Sequence, residues 1–282
     1  FDAQIKPILL YGSEVWGLQQ YIQLSGRVER VHLFALKRLL NVSTHTPNDM
    51  VYGETGRYPI YIDAYTRCIA YWLRLTTMEP TRLPYKAYRM LLEFSESGHY
   101  CWVSQIKETL YRHGFGFVWE NHGVQHKRWF IRIFKQRLVD CFYQGWSEHV
   151  TNSTRFNVYR IVKTSVSLES YFESIHNKHL RDLVIKFRVG AIDIRTNELR
   201  YTDSSDFSCP LCGHRLEDEM HFIFFCKKLG RLRTQFIPAR YCQYPTFDSL
   251  SHLLNDSDCL ENVGRYIYHS LTLRSTVTAL VV

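Results

Sequence analysis

Between Ile62 and Leu75 apolar residues recur at helical spacing: Tyr65, Cys68, Ile69, Trp72 and Leu75 lie on one side of a 3.6-residue period, and Arg67, Tyr71 and Arg74 lie on the other. That pattern predicts a helix with one buried and one basic, aromatic face. Residues 26–40 read the same way, with Val28, Val31, Ala35 and Leu39 inward, Leu36 and Leu40 extending that side, and Arg27, Arg30, Phe34, Lys37 and Arg38 outward. A third such helix is predicted over 125–141, where Trp129, Phe130, Ile133, Phe134, Leu138 and Cys141 form the apolar side and Arg128, Arg132 and Lys135 the basic one. Pro47, Gly53 and Gly56 break the first two apart, and Gly114 and Gly116 punctuate the approach to the third.

Residues 85–94 and 102–113 predict two further helices, preceded by a linker at 80–84. Ser170-x-x-Glu173 has the form of a capping box, and Leu180, Leu183, Val184 and Phe187 continue a helical stripe up to a stop at Gly190. The period-2 alternation of strands is scarce. The pattern therefore predicts a mainly α protein of bundle-like helical segments, divided into a helical segment over 1–79, a helical linker region over 80–164 and a C-terminal region over 165–282. Polar residues at 151–154 mark a boundary between the two halves.

Charge sharpens the reading of the polar faces. The 282 residues carry 35 Lys and Arg against 27 Asp and Glu, a formal net charge of +8. Cations that line a helix beside an exposed ring suit a phosphate backbone, with the ring available to stack on a base. The same composition also describes an ordinary solvated helix surface. A 45% hydrophobic content is enough to fill a core.

Chemistry concentrates in one segment. Cys209, Cys212, His221 and Cys226 follow the spacing C-x2-C-x8-H-x4-C, the ligand complement of a closed tetrahedral zinc site. Four protein ligands leave no open position, so the site predicts one structural zinc ion within a module at 205–235. Gly213 suits the turn behind the second thiolate. His214 lies too close to Cys212 to share the ion without strain, whereas His221 opens an apolar run, His221 to Cys226, that can pack beneath the metal. Lys227, Lys228, Arg231 and Arg233 follow immediately and place positive charge against the site. Cys68, Cys101, Cys141, Cys242 and Cys259 are scattered singly in or beside apolar sequence, as reduced core cysteines are. That usage predicts an intracellular chain, nuclear or cytoplasmic, in which the sequons at Asn41, Asn152 and Asn255 go unused. No segment reads as membrane-spanning.

No glycine-rich phosphate loop, G-x-S-x-G or H-E-x-x-H motif occurs, nor a paired-aspartate turn of the kind that holds catalytic magnesium. His122, His126, His176 and His179 lack nucleophile partners, and the His176/His179 pair lacks a third ligand. The sequence predicts no catalytic centre. The first residue is Phe1 and the apolar Ile8-Leu9-Leu10 follows at once, which reads as a fragment of a longer protein.

The runs Ile8 to Trp16, Arg30 to Leu40 and Asn48 to Pro59, then Trp119-Glu120-Asn121, Lys186 to Gly190 and Cys209-Pro210-Leu211-Cys212 with His221 and Cys226, resemble in the same order the region downstream of the polymerase core in LINE-type non-LTR retrotransposon reverse transcriptases. The resemblance implies a thumb-like segment over 1–79, a helical linker and a CCHC zinc knuckle that help to engage template RNA or target DNA, with the upstream polymerase domain as a further partner. The polymerase aspartates and an endonuclease domain are absent from this sequence. The expected function is thus a zinc-binding, weakly sequence-selective RNA- or DNA-binding fragment, with contacts from Arg30, Phe34, Lys37, Arg38, Arg67, Arg74, Arg128, Arg132, Lys135 and the four cations after Cys226. The alternative is a helical protein-interaction module in which zinc only supports the fold.

Overall fold

A computed structural model of the chain describes residues 1–18, 24–153, 156–198 and 206–279. These residues form helices and turns, with no strand among them. In chain order the helices are α1 (Ile5–Leu9), α2 (Ser13–Trp16), α3 (Leu24–Leu39), α4 (Asn48–Thr55), α5 (Tyr61–Leu75), α6 (Leu83–Glu96), α7 (Trp102–Arg112), α8 (Gly116–Glu120) and α9 (Lys127–Asn152). There follow α10 (Tyr159–Val162), α11 (Tyr171–Ser174), α12 (Lys178–Arg188) and α13 (Arg195–Glu198). A π-helical turn at His221–Phe225 and a 3-10 turn at Lys227–Leu229 lead to α14 (Gly230–Phe236), α15 (Ala239–Cys242), α16 (Phe247–Asn255) and α17 (Leu260–Ala279).

The chain divides into two compact units that interleave in sequence, where consecutive segments were expected. One comprises Phe1–Ala35 with Tyr58–Gly145, the other Leu36–Arg57 with Trp146–Val282.

In the first unit α5 is the central element. Its expected face is buried at Cys68, Ile69, Trp72 and Leu75 and partly buried at Tyr65, and the four buried residues join Val103, Ile106 and Leu110 of α7 and Phe130, Phe134 and Leu138 of α9 in one core. The Trp72 ring stacks on Trp119 at 5.6 Å, and its indole N–H donates to the Tyr88 hydroxyl at 3.4 Å. Burying rings of this size adds apolar driving force of roughly 25 cal/mol per Å² removed from water. The linker expected at 80–84 is shorter than read, because Pro84 sits in the first turn of α6, where its missing N–H costs nothing.

The second unit is built on α12 and α17, which pack together along their lengths, with α10 on α16 and α14 on α17. The stripe Leu180, Val184 and Phe187 is buried as expected, and Gly190 follows the helix with a φ of 63°. The capping box at Ser170 does not form. Ser170 makes no side-chain cap bond, and Asn177 instead caps α12 by accepting from the His179 and Leu180 amides at 3.0 and 3.3 Å.

Beneath these helices lies an ionic network that hydropathy alone does not reveal. Glu54 of α4 and Arg188 of α12 have fully buried side chains and meet through two contacts, Nε to Oε2 at 3.0 Å and Nη2 to Oε1 at 3.3 Å. Arg188 also reaches Glu169 at 2.8 Å and donates to the Leu254 carbonyl at 2.7 Å. Tyr171 donates to Glu54 at 2.6 Å, and Lys163 is paired with Glu169. Two cations and two carboxylates close the set at zero net charge, the condition under which buried ions are tolerated. Gly53 adjoins it for a steric reason: a Cβ there would lie 2.2 Å from the Tyr159 hydroxyl and 3.1 Å from Trp146.

Candidate metal centre

Cys209, Cys212, His221 and Cys226 converge so that one ligand atom from each lies within 4.8 Å of the others. The Cys209 and Cys226 sulfurs are 4.0 Å apart, and the Cys212 sulfur is 3.4 Å from His221 Nε2. A tetrahedral ion held about 2.3 Å from sulfur and about 2.1 Å from nitrogen keeps its ligand atoms about 3.5–3.8 Å apart. The two pairs at 4.0 and 3.4 Å lie close to that spacing, and these four side chains can hold a metal ion.

Local backbone geometry assembles the set. The Gly213 amide turns back to the Cys209 carbonyl at 2.9 Å, and the Cys209 amide bonds the His214 carbonyl at 2.8 Å, closing a knuckle that needs the left-handed φ of 71° at Gly213. Asp218 accepts from the His221 amide at 2.7 Å, fixing the start of the π turn that carries the third ligand. Phe222, Ile223 and Phe224 are buried beneath it, as the apolar run predicts. His214 is exposed and is not a member of the cluster; its ring stacks on His221 at 4.6 Å.

The two buried thiols and the imidazole differ in how readily they give up a proton. The contact between the two thiols raises Cys209 and pulls the Cys226 thiol below the usual range, and burial raises Cys209 further. Burial pushes the His221 imidazole down, towards its neutral, ligating form, and its Nδ1 is buried without a hydrogen-bond partner. An ion displaces the shared thiol proton and needs a neutral imidazole.

A second ring of contacts braces the site. Glu217 is 1% exposed, lies 3.5 Å from the Cys209 sulfur, and is bound through both oxygens by Arg274 of α17 at 3.2 and 3.3 Å. It also accepts from the Arg195 amide at 2.9 Å. Tyr266 of α17 donates to the Phe222 carbonyl at 2.6 Å. Arg233 donates to the Ile223 carbonyl at 2.7 Å and the Cys226 carbonyl at 2.8 Å. Sequence reading missed Glu217, which lies between the second and third ligand positions, and Tyr266 and Arg274, which come from α17; none of the three carries a spacing signal.

The expected basic contacts divide. Lys227, Lys228 and Arg231 are exposed with no side-chain partner among the described residues, whereas Arg233 is spent on the backbone of the π turn and is corrected to a positioning residue. Lys37 is also corrected: it is buried, its amine bonds the Thr44 carbonyl at 2.8 Å, and burial lowers its pKa. Val31 and Leu39, expected inward, are 47% and 58% exposed, while Leu33, Leu36 and Leu40 form the buried side of α3. Arg30, Phe34 and Arg38 are exposed as read. Arg67 is exposed but bonds the Leu10 carbonyl at 2.9 Å, and Arg74 lies over the Tyr71 ring at 5.0 Å. Lys135 is paired with Asp63 at 2.7 Å, while Arg128 and Arg132 are exposed and unpaired among the described residues. Trp129, expected inward, is 59% exposed.

No family model, curated protein or solved structure matches the chain. No described helix is long and apolar enough to cross a membrane.

Proposed function

We propose that the chain is a zinc-stabilised, nucleic-acid-binding segment, of the kind the sequence resemblance implies for the region downstream of a LINE-type reverse transcriptase core. Three thiolates and an imidazole favour zinc over hard cations such as magnesium or calcium, which take oxygen ligands. With four protein ligands the ion would support folding, and the chain would contribute binding rather than catalysis.

The observation that carries this reading is the placement of Lys227, Lys228 and Arg231. They follow the last ligand directly, are exposed, and make no side-chain bond or ion pair among the described residues. Cations with no internal partner raise the local positive field without first having to break internal bonds, so successive phosphates would be their natural partners. Recognition of this kind is electrostatic and weakly sequence-selective.

The test changes Lys227, Lys228 and Arg231 to alanine together. Single-stranded RNA and DNA affinity should fall by a similar factor for unrelated sequences, and the slope of log affinity on log salt should flatten by about 0.7 for each phosphate no longer neutralised. Zinc content should stay at one per chain. Wild-type affinity and slope in the triple variant would reject this surface. Binding to a protein partner with little salt dependence, and none to nucleic acid, would favour the interaction-module alternative.

A further inference from the structure

Trp129 breaks the rule that puts large rings inside, and its surroundings say what covers it. It stands in the first turn of α9, and Arg128 and Arg132 belong to the same stretch of helix surface, since residues three and four apart are neighbours there. Gln125, His126, Lys127, Arg128, Trp129 and Arg132 line an open cavity of about 720 Å³. None of the six is acidic. Among the described residues Arg128 and Arg132 make no ion pair or hydrogen bond, and Trp129 makes no ring contact within the chain.

The frame beneath is fixed. The Lys127 amine donates to the Leu73 carbonyl and the Thr77 hydroxyl, which pins the start of α9 to the end of α5. Phe130, the next residue after Trp129, is buried, and its ring meets Phe115 edge-on at 5.3 Å. Trp129 is therefore held outward by a register that buries its neighbour.

We infer that this cavity is a base-stacking subsite for an unpaired nucleic-acid strand, in which the Trp129 indole takes one base on its face while Arg128 and Arg132 hold the flanking phosphates. The inference rests on the nucleic-acid reading above but uses a different surface, in the other compact unit. Charge and shape favour the partner: an acidic peptide satisfies the guanidiniums, but an unpaired strand offers a flat ring and an anionic group at every residue. A paired base keeps its faces stacked within the duplex, so the site discriminates single strand from double strand.

Three probes separate the contributions: an oligothymidylate of about 12 nucleotides, an abasic strand of the same length, and a duplex of the same length. Trp129→Ala should weaken oligothymidylate binding about ten-fold, as the loss of one base–aromatic stack does, while abasic and duplex affinities stay within about two-fold. Trp129→Phe should restore most of the loss. Arg128→Gln with Arg132→Gln should weaken all three probes and flatten the salt slope. Equal loss on every probe in Trp129→Ala, or no loss on any, overturns the stacking site while leaving the wider reading intact. Failure of the wild-type chain to bind any probe overturns both.

Discussion

The guanidinium of Arg188 grips the carboxylate of Glu54 through two contacts, 134 residues apart in the chain and with both side chains inaccessible to water. The pair joins the segment Asn48 to Pro59 to the segment Lys186 to Gly190, two of the runs that carry the sequence resemblance. Charged residues inside those runs therefore have a structural reason to be there. Their role is to neutralise each other.

Removing one member should be severe. Arg188→Leu leaves Glu54 without its partner and takes one from Glu169, and is expected to cost about 3–5 kcal/mol in denaturant unfolding. Arg188→Lys should recover only part of that, because an ammonium cannot span two carboxylates and the Leu254 carbonyl as the fork does. A cost under about 1 kcal/mol in Arg188→Leu would show that the pair is not closed in solution.

Gly53 tests the same region by volume. Gly53→Ala should destabilise by about 1–3 kcal/mol, because the new methyl meets the Tyr159 hydroxyl. Tyr159→Phe removes that oxygen. The double variant should therefore lose less than the sum of the two single variants, and strict additivity would count against the contact.

The metal centre gives a third test. Purified protein should carry one zinc per chain, and Cys212→Ser should abolish it. Arg274→Met touches no ligand but leaves Glu217 buried and without its guanidinium beside the Cys209 sulfur. It should weaken zinc affinity about 10- to 100-fold, measured by chelator competition. Unchanged affinity would show that the outer contacts do not hold the ligands in place.

The fourth concerns acid. Asp256 is held at a pKa of about 2, first by the hydrogen bond from Tyr241 and then by that from Cys259, with Arg240 adding to it. A carboxylate depressed in the folded state stabilises the fold fully above its unfolded value, about 3.9, and loses that contribution as pH falls towards 2. The gap in Tm between wild type and Asp256→Asn should be largest above about pH 4 and narrow between about pH 4 and pH 2. A gap that stays constant across that window would refute the assignment.

The mainly α fold and the clustering of Cys209, Cys212, His221 and Cys226 were legible in the chain because both are written in local spacing. The α5 face was readable since one unbroken period decides Cys68, Ile69, Trp72 and Leu75. The α3 face was not. Leu33 belongs to one compact unit, while Leu36 and Leu40 belong to the other, so a single stripe need not persist along the helix. Lys37 misled for another reason: its long stem packs while its amine finds a carbonyl seven residues on, and hydropathy scores the charge alone. Arg233 was grouped with its basic neighbours, although its carbonyl partners lie on the π turn and at its end. Glu54 with Arg188, and Glu217 with Arg274, are pairings between distant segments that no single-sequence period encodes.

The bond between Glu217 and Arg274 limits how the chain can be dissected. A peptide cut to residues 205–235 would contain all four ligands yet lack Arg274 and Tyr266, which hold the buried carboxylate and the inner backbone from α17. Such a peptide would leave Glu217 as a bare anion beside three thiolates. The Cys and His spacing thus marks where an ion could be held but not the smallest transferable piece, and a graft into another scaffold would have to bring the C-terminal helix with it.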